Sequence, residues 1–390
     1  MEQVLYSLPD GWAWLNFDSL VENLDGKRVP IKTSERSKEK AIYPYYGATG
    51  IIDYVDDYIY EGEKLLISED GANLVARKYP IAFLADGKYW VNNHAHVVDA
   101  YKDKISNKYL SYFFAVLDLS AFITGSAQPK LSQKKLNSIK IAVAPIAEQK
   151  RIVEKLDALL TRIDTAIEHL QQSVTLADAL YASTINEQMM QAIELAGLST
   201  VEKHIEQIQT GTTPPTKQPE FYENGDINWF APSDFGDHDI LFDSNKKLSQ
   251  KAFDAGKARK FDAGTIMLVA IGATIGKIGY LEQDASSNQQ ITGMKFNSAI
   301  IPRYAYYWFR FIKPEILTNA STATLPIINQ KGIKALSFCA PNKQLQETIC
   351  RKIDEVSNFR NKVKAELNEK VELMRSLKAS ILDSAFKGEL

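Results

Sequence analysis

The chain has only two cysteines, Cys339 and Cys350, both in its last quarter. They cannot build a disulfide framework, and their scarcity fits a reducing cytoplasm, the expected location. No apolar run reaches the roughly 18 residues that suggest a membrane span, so no membrane partner is expected. Met1–Trp14 lacks the basic start and apolar stretch of a signal peptide. Charge of one sign is missing too. Forty-six basic residues face 48 acidic ones, a net charge of −2, so the chain as a whole does not announce a nucleic-acid partner.

Catalytic signatures are also scarce. Gly272–Ile278 resembles a Walker A loop, but three residues separate Gly272 from Gly276 where four are needed, and Ile278 stands where the metal-binding hydroxyl belongs. His94 and His96 are the only close histidine pair, with no cysteine nearby, so no metal site is expected. The Asn/Asp-Pro-Pro-aromatic segment of a base-nitrogen methyltransferase has no match. Its nearest counterpart, Thr213-Pro214-Pro215-Thr216, lacks both the amide and the aromatic ring. No Gly-x-Ser-x-Gly elbow occurs. The chain is expected not to be an enzyme by itself, and to hold no cofactor.

What is present is a duplication. Pro129, Gln133, Lys134, Gln149, Ile152, Lys155 and Asp157 recur as Pro326, Gln330, Lys331, Gln346, Ile349, Lys352 and Asp354, each 197 residues on (326 − 129). That is half of 390 residues, too long for a solenoid repeat of about 20–50. It predicts a duplicated domain with a duplicated helix, and suggests a target read at two places.

The helical halves are legible. Neither proline nor glycine interrupts 146–196, and Gly197 is a natural stop. Leu156, Leu160, Ile163, Ile167, Leu170, Val174, Ala177, Tyr181 and Thr184 alternate at spacings of four and three, the seam of a coiled coil. Ile349, Ile353, Val356, Val363, Leu367, Met374, Leu377 and Ile381 continue the pattern in the second half, with Arg360 and Lys370 as polar interruptions able to set register. Residues 146–198 carry 4 basic and 8 acidic side chains, and 341–390 carry 10 and 8, opposite net charges that favour pairing. A helix of about 45 residues is roughly 68 Å long, too long for one small domain to bury. The intervening domain returns the chain, so the pair is expected to be antiparallel.

The globular halves read as mixed α/β. Strands are expected at Lys64–Ile67, Ile81–Leu84 and Ile139–Val143, and again at Thr265–Ala270, Lys277–Leu281 and Leu336–Cys339. Tyr109, Tyr112, Phe113 and Phe114 match Tyr304, Tyr307, Trp308 and Phe309, aromatic helices expected to be core. The fold class is therefore α+β (mixed). It comprises domains 1–144 and 198–340, long helices 145–197 and 341–390 forming an antiparallel coiled coil, and a pseudo-twofold arrangement.

The pattern resembles the DNA specificity subunit of type I restriction–modification systems. Leu8-Pro9-Asp10-Gly11-Trp12, Gln128-Pro129-Lys130-Leu131, Pro145-Ile146-Ala147-Glu148-Gln149, Gly211-Thr212-Thr213-Pro214, Asp226-Ile227-Asn228-Trp229 and the close Ile381–Leu390 carry the resemblance. Two departures stand out. Leu345 replaces the equivalent of Glu148, and the first helix ends at Asn186–Met190 without the Ala-Phe-Lys-Gly close of 385–388.

The resemblance implies that each domain reads one half of a bipartite, asymmetric double-stranded DNA target. The helices would set the spacer and dock two modification subunits, which supply S-adenosylmethionine. Restriction subunits would add ATP- and Mg-dependent translocation. Readout favours polar loop side chains. The candidates are Lys27, Arg28, Tyr46, Asn93, His94 and Lys130 in the first domain, and Thr212, Thr213, Lys217, Ser233, Gln289 and Gln290 in the second. The alternative is a coiled-coil scaffold presenting two protein-binding domains.

Overall fold

A computed structural model describes residues 3, 5–36, 41–125, 127–236, 240–320 and 325–390. They fall into two compact units, Met1–Gln171 with Asn368–Leu390, and Gln172–Leu367. The divisions lie inside the long helices rather than at their ends. Each globular domain packs on the start of its own helix and on the end of the other.

In the first unit, Val21–Asn23, Ala95–Ala100, Lys64–Ser68 and Ala82–Ala85 make one antiparallel sheet, in that order. A second sheet orders Gly50–Val55, Tyr43–Gly47, Lys88–Val91 and Tyr60–Glu61. The helix Asn107–Val116 buries Tyr109, Leu110, Phe113 and Phe114, the core role expected of its aromatic stripe. In the second unit, Ile205–Thr210, Ile291–Phe296, Ile266–Val269, Ile278–Leu281 and Ile240–Leu241 form the corresponding sheet. Lys246–Leu248, Ile227–Phe230 and Ser286–Ser287 form the smaller one. The helix Pro302–Phe311 buries Tyr304, Tyr307, Trp308 and Phe309.

The first long helix spans Ile146–Ala196 and the second Lys343–Lys387. Gly197, at φ +73°, ends the first in the left-handed conformation that favours glycine. The recurring residues anchor each helix in the same way. Gln149 Nε2 donates to the carbonyls of Ala144 and Lys104, both at 2.8 Å, and Gln346 Nε2 donates to Pro341 (2.7 Å) and Ala299 (3.0 Å). Asp157 accepts from the Tyr112 hydroxyl and Asp354 from the Tyr307 hydroxyl.

Within the first unit, Leu156 and Leu160 share a core with Leu382, Ala385 and Phe386. Within the second, Tyr181, Ile185 and Met189 share one with Ile349 and Ile353. The start of one helix thus meets the end of the other in each unit, which is antiparallel pairing. Cross-helix ion pairs Asp164–Lys378 (2.7 Å) and Asp178–Lys364 (3.1 Å) repeat that register. Phe386 sits edge-on to Tyr109 and Phe113, with centroids 5.1 and 5.2 Å away. Met189, the repeat counterpart of Phe386, is fully buried in the second unit. The unlike endings of the two helices are therefore two side chains for one job.

The seam needs correction at one end. Leu377 is 46% exposed, and Ile381 only borders the core. Val371, Leu382 and Ala385 are the buried positions there, with Met374 and Lys378 half-buried. A straight helix drifts about 20° per heptad against a strict 3.5-residue repeat, and this end must also face a globular domain. Ile163 is buried, and Ile167, Leu170, Val174, Val356, Val363 and Leu367 are half-buried. Of the two polar interruptions, Lys370 is exposed, whereas Arg360 is buried. Its guanidinium lies 4.1 Å over the Tyr181 ring and 3.9 Å from Asp178. Cys339 and Cys350 are free and buried. Burial pushes the Cys350 thiol up to about 12, so it holds its proton near neutral pH.

Candidate nucleic-acid interface

In the first unit a loop framework joins three segments. Glu69 N–H donates to the His94 carbonyl (2.9 Å), Gly71 N–H to Pro129 (3.0 Å), and Leu131 N–H to Glu69 (2.7 Å). In the second unit Ala270 N–H donates to Gln290 (2.8 Å), Gly272 N–H to Pro326 (3.0 Å), and Ile328 N–H to Ala270 (3.0 Å). Asn92 N–H donates to Tyr46 and Asn288 N–H to Phe230, both at 3.0 Å. Asn92 Oδ1 accepts from the His94 N–H (2.8 Å), and Asn288 Oδ1 from the Gln290 N–H (3.0 Å). Asn92-Asn93-His94 and Asn288-Gln289-Gln290 are therefore the same turn carrying different side chains. Gly71 and Gly272 hold φ of +103° and +108°, a backbone that other residues rarely adopt, so the frame needs glycine at both.

The side chains on the two frames differ in chemistry. Beneath the first lies a charge network. Arg28 reaches Glu69 (2.6 Å), Asp25 (3.2 Å) and the Ala95 carbonyl (2.9 Å). His96 Nδ1 lies 2.6 Å from Asp25, and its Nε2 lies 2.8 Å from the Leu131 carbonyl. Lys130 reaches Glu69 at 3.1 Å. Burial alone would raise the Asp25 carboxyl, but hydrogen bonding and charge from His96, the Val97 N–H and Arg28 outweigh it and hold it low. Glu69 is held low against burial by Arg28, His96 and Lys130. Asp25, Glu69 and His96 bring donor atoms within 4.8 Å of one another, a spacing a cation could use. The Arg28 guanidinium already supplies the positive charge there.

The second frame uses neutral groups. The Thr210 and Thr292 hydroxyls lie 3.1 Å apart, and Gln330 Nε2 donates to Thr210 (3.1 Å). Thr213 donates to the Gln289 carboxamide oxygen at 2.5 Å. The Trp229 indole donates to the Thr212 carbonyl at 3.0 Å. A Cβ on Gly211 would fall 2.2 Å from Ser287 Oγ and 2.3 Å from the Asn288 carbonyl, so glycine lets the segment reach the turn.

The candidates sort accordingly. Asn93 and His94 are exposed on the first turn, with His94 held 2.8 Å from Asp70, and Lys130 stands beside them. Gln289 is exposed and Gln290 half-buried on the second turn, with Thr212 and Thr213 adjacent. Lys217, Ser233 and Lys27 lie on other segments, outside the frame contacts. Arg28 is held by its carboxylates, and Tyr46 packs on Phe83 and Tyr89 at 6.1 and 5.5 Å. Asn92, Asn288 and the paired glycines were missed. The 197-residue offset does not align them, since Gly71 and Gly272 lie 201 apart and Asn92 and Asn288 lie 196 apart.

The frames present carboxamides, hydroxyls, an imidazole and an ammonium group, the types that bind base edges and phosphates.

The family model for the type I restriction modification DNA specificity domain matches residues 9–176 and 203–373. A Haemophilus influenzae protein named as a putative type I restriction enzyme specificity subunit is 26% identical, over 90% of this chain and 89% of its own. The EcoBI specificity subunit of Escherichia coli is 22% identical, over 99% and 88%. Among solved structures, one from a study of complex assembly and conformational transition in the type I R-M system matches with a TM-score of 0.73. It covers 99% of this chain and 100% of its own at 17% identity. The HsdS subunit from Thermoanaerobacter tengcongensis matches at 0.52, with 16% identity and full coverage of both chains. These two likenesses concern the fold.

Proposed function

The chain belongs to the type I restriction–modification DNA specificity family, and from that premise we propose that its two loop frames are the two readers of a split, asymmetric DNA target. The observation that carries this is the repeated frame. Backbone geometry is held constant at Gly71/Gly272 and Asn92/Asn288, while the turn residues change from Asn93-His94 to Gln289-Gln290. A carboxamide can pair with adenine N6 and N7, whereas an imidazole or ammonium reads acceptors. Two frames with unlike side chains read unlike half-sites, and helices of 51 and 45 residues hold the gap constant.

The chain itself is non-catalytic in this reading. Modification subunits bring S-adenosylmethionine, and restriction subunits, where present, bring ATP- and Mg-dependent motion. Two modification subunits dock, because the helices offer two equivalent apolar pairs. Leu176 and Leu180 are 69% and 49% exposed in the second unit, and their repeat counterparts Leu373 and Leu377 are 61% and 46% exposed in the first. Exposed leucines spaced four apart suit a partner helix. Near-neutral charge agrees, since a chain neutralising many phosphates alone would be basic.

Selection of a random duplex library by the chain with its modification subunit tests this. Two conserved blocks separated by a fixed unconstrained gap are expected. One continuous block, or no enrichment, would sink the reading and favour a protein scaffold.

A further inference from the structure

Residues 256–260 read Gly-Lys-Ala-Arg-Lys and lie against the second loop frame. Three hydrogen bonds hold them there. Thr212 Oγ1 donates to the Lys257 carbonyl at 3.1 Å, Arg259 Nη1 to the Thr210 carbonyl at 2.6 Å, and Gln209 Nε2 to the Lys260 carbonyl at 2.6 Å. Behind the segment, the Lys257 and Ala258 N–H groups both donate to the Ala252 carbonyl, at 2.9 and 3.1 Å. Ala258 packs on the small core of Phe221, Trp229, Leu248 and Ala252. Lys257 and Arg259, on either side of it, are exposed. A segment tied down in this way is already in place for a ligand, so binding has little left to order but the two side chains.

Positive charge along this edge is only partly cancelled. Lys260 meets Asp284 at 2.7 Å, and Lys295 meets Asp262 at 2.6 Å. Among the described residues, Lys257 and Arg259 meet no carboxylate. The bond from Arg259 to Thr210 goes to a neutral carbonyl and uses one of the five guanidinium N–H donors. The first frame is built otherwise. Its cations Arg28 and Lys130 both reach Glu69, at 2.6 and 3.1 Å. The shared backbone therefore does not call for cations without partners, and the second frame has acquired two of them beside Thr210 and Thr212.

We propose that Lys257 and Arg259 grip the DNA phosphates that flank the bases read by the second frame. The inference rests on the reading of the frames as DNA contacts, and it adds the residues that hold the backbone at one of them. A flexible ammonium and a forked guanidinium both suit phosphate oxygens. Contacts of this kind fix register beside the reading residues and carry no sequence information themselves.

The test uses the full chain with its modification subunit. The probes are a duplex carrying the split motif enriched by selection and an unrelated duplex of the same length. Affinity is measured from about 50 to about 200 mM salt for the native chain, Lys257→Ala, Arg259→Gln, Arg259→Lys and Lys203→Ala, with thermal melting to check that each is folded. Lys203 is exposed just before the strand Ile205–Thr210, roughly 20 Å of chain from Thr210, so its loss changes net charge away from the frame. Lys257→Ala and Arg259→Gln are each expected to lower the slope of log affinity against log salt by about one counterion, on both duplexes alike. A fourfold rise in salt then costs each variant about 3.5-fold less affinity than it costs the native chain. Arg259→Lys, which keeps the charge, and Lys203→Ala should keep the native slope. Unchanged slopes in Lys257→Ala and Arg259→Gln overturn the proposal. So does an equal loss in Lys203→Ala, which would reduce the effect to net charge. A loss confined to the motif duplex, with a changed base preference, overturns it as well and makes the two residues readers. If selection enriches no split motif, the reading of the frames fails, and the unrelated duplex alone still decides this proposal.

Discussion

Arg28 lies beneath the first reading frame, yet its guanidinium is committed to the protein. Replacing it with alanine strands Asp25 and Glu69 in a half-buried place. Loss of one partner from such a network costs about 3–5 kcal/mol. Arg28→Ala should therefore lower the urea midpoint clearly while leaving the preferred bases unchanged. The same network predicts an acid limit. Asp25 and Glu69 titrate below their ordinary range in the folded chain. Their contribution is thus fully present above the unfolded carboxylate values, about 4, and is lost as pH falls through the lower folded values. Urea unfolding between pH 7 and pH 3 should show that loss, and Arg28→Ala should reduce it. The side chains proposed to read bases are expected to behave otherwise. His94→Ala or Asn93→Ala should relax one position of one half-site by about 1–3 kcal/mol, and Gln289→Ala one position of the other. Selection of a duplex library by each variant would detect the change. Uniform weakening over all sequences would mark the residue as a phosphate contact.

At the scale of elements, the long helices were legible because heptad spacing and the lack of glycine and proline act locally. The aromatic helices and all six expected strands lie where hydrophobic runs placed them, to within a residue or two at the ends. The second sheet of each unit was not read. Tyr43–Gly47 and Lys88–Val91 pair in parallel through residues far apart in sequence, and strands this short give no clear periodic signal. The seam failed at Leu377 because a helix with two partners has two apolar stripes, and the sequence pattern does not say which faces which. The outer stripe makes a prediction. Leu176→Ser with Leu180→Ser, or Leu373→Ser with Leu377→Ser, should change stability by no more than about 0.5 kcal/mol per site. Each double variant should reduce the bound modification subunits from two to one by mass measurement. Phe386→Ala removes an inward residue instead and should cost about 3–5 kcal/mol, visible as a lowered melting temperature.

At the scale of the molecule, the duplication announced two of everything: two helices, two aromatic helices, two anchoring glutamines. It did not announce the shared loop frame. The frame is defined by main-chain hydrogen bonds and two positive-φ glycines, while its exposed residues differ between halves. A site built to read two different things conserves its backbone and varies its side chains, so motif matching finds the scaffold and misses the readers.

The most direct test is to co-express the chain with a modification subunit and map methylated adenines across the host genome by single-molecule sequencing. The account predicts methylation confined to one split motif with unlike halves and a constant gap. It also predicts that exchanging residues 1–144 for those of another family member changes only one half. Methylation on a continuous motif, or an exchange that alters both halves or neither, would contradict it.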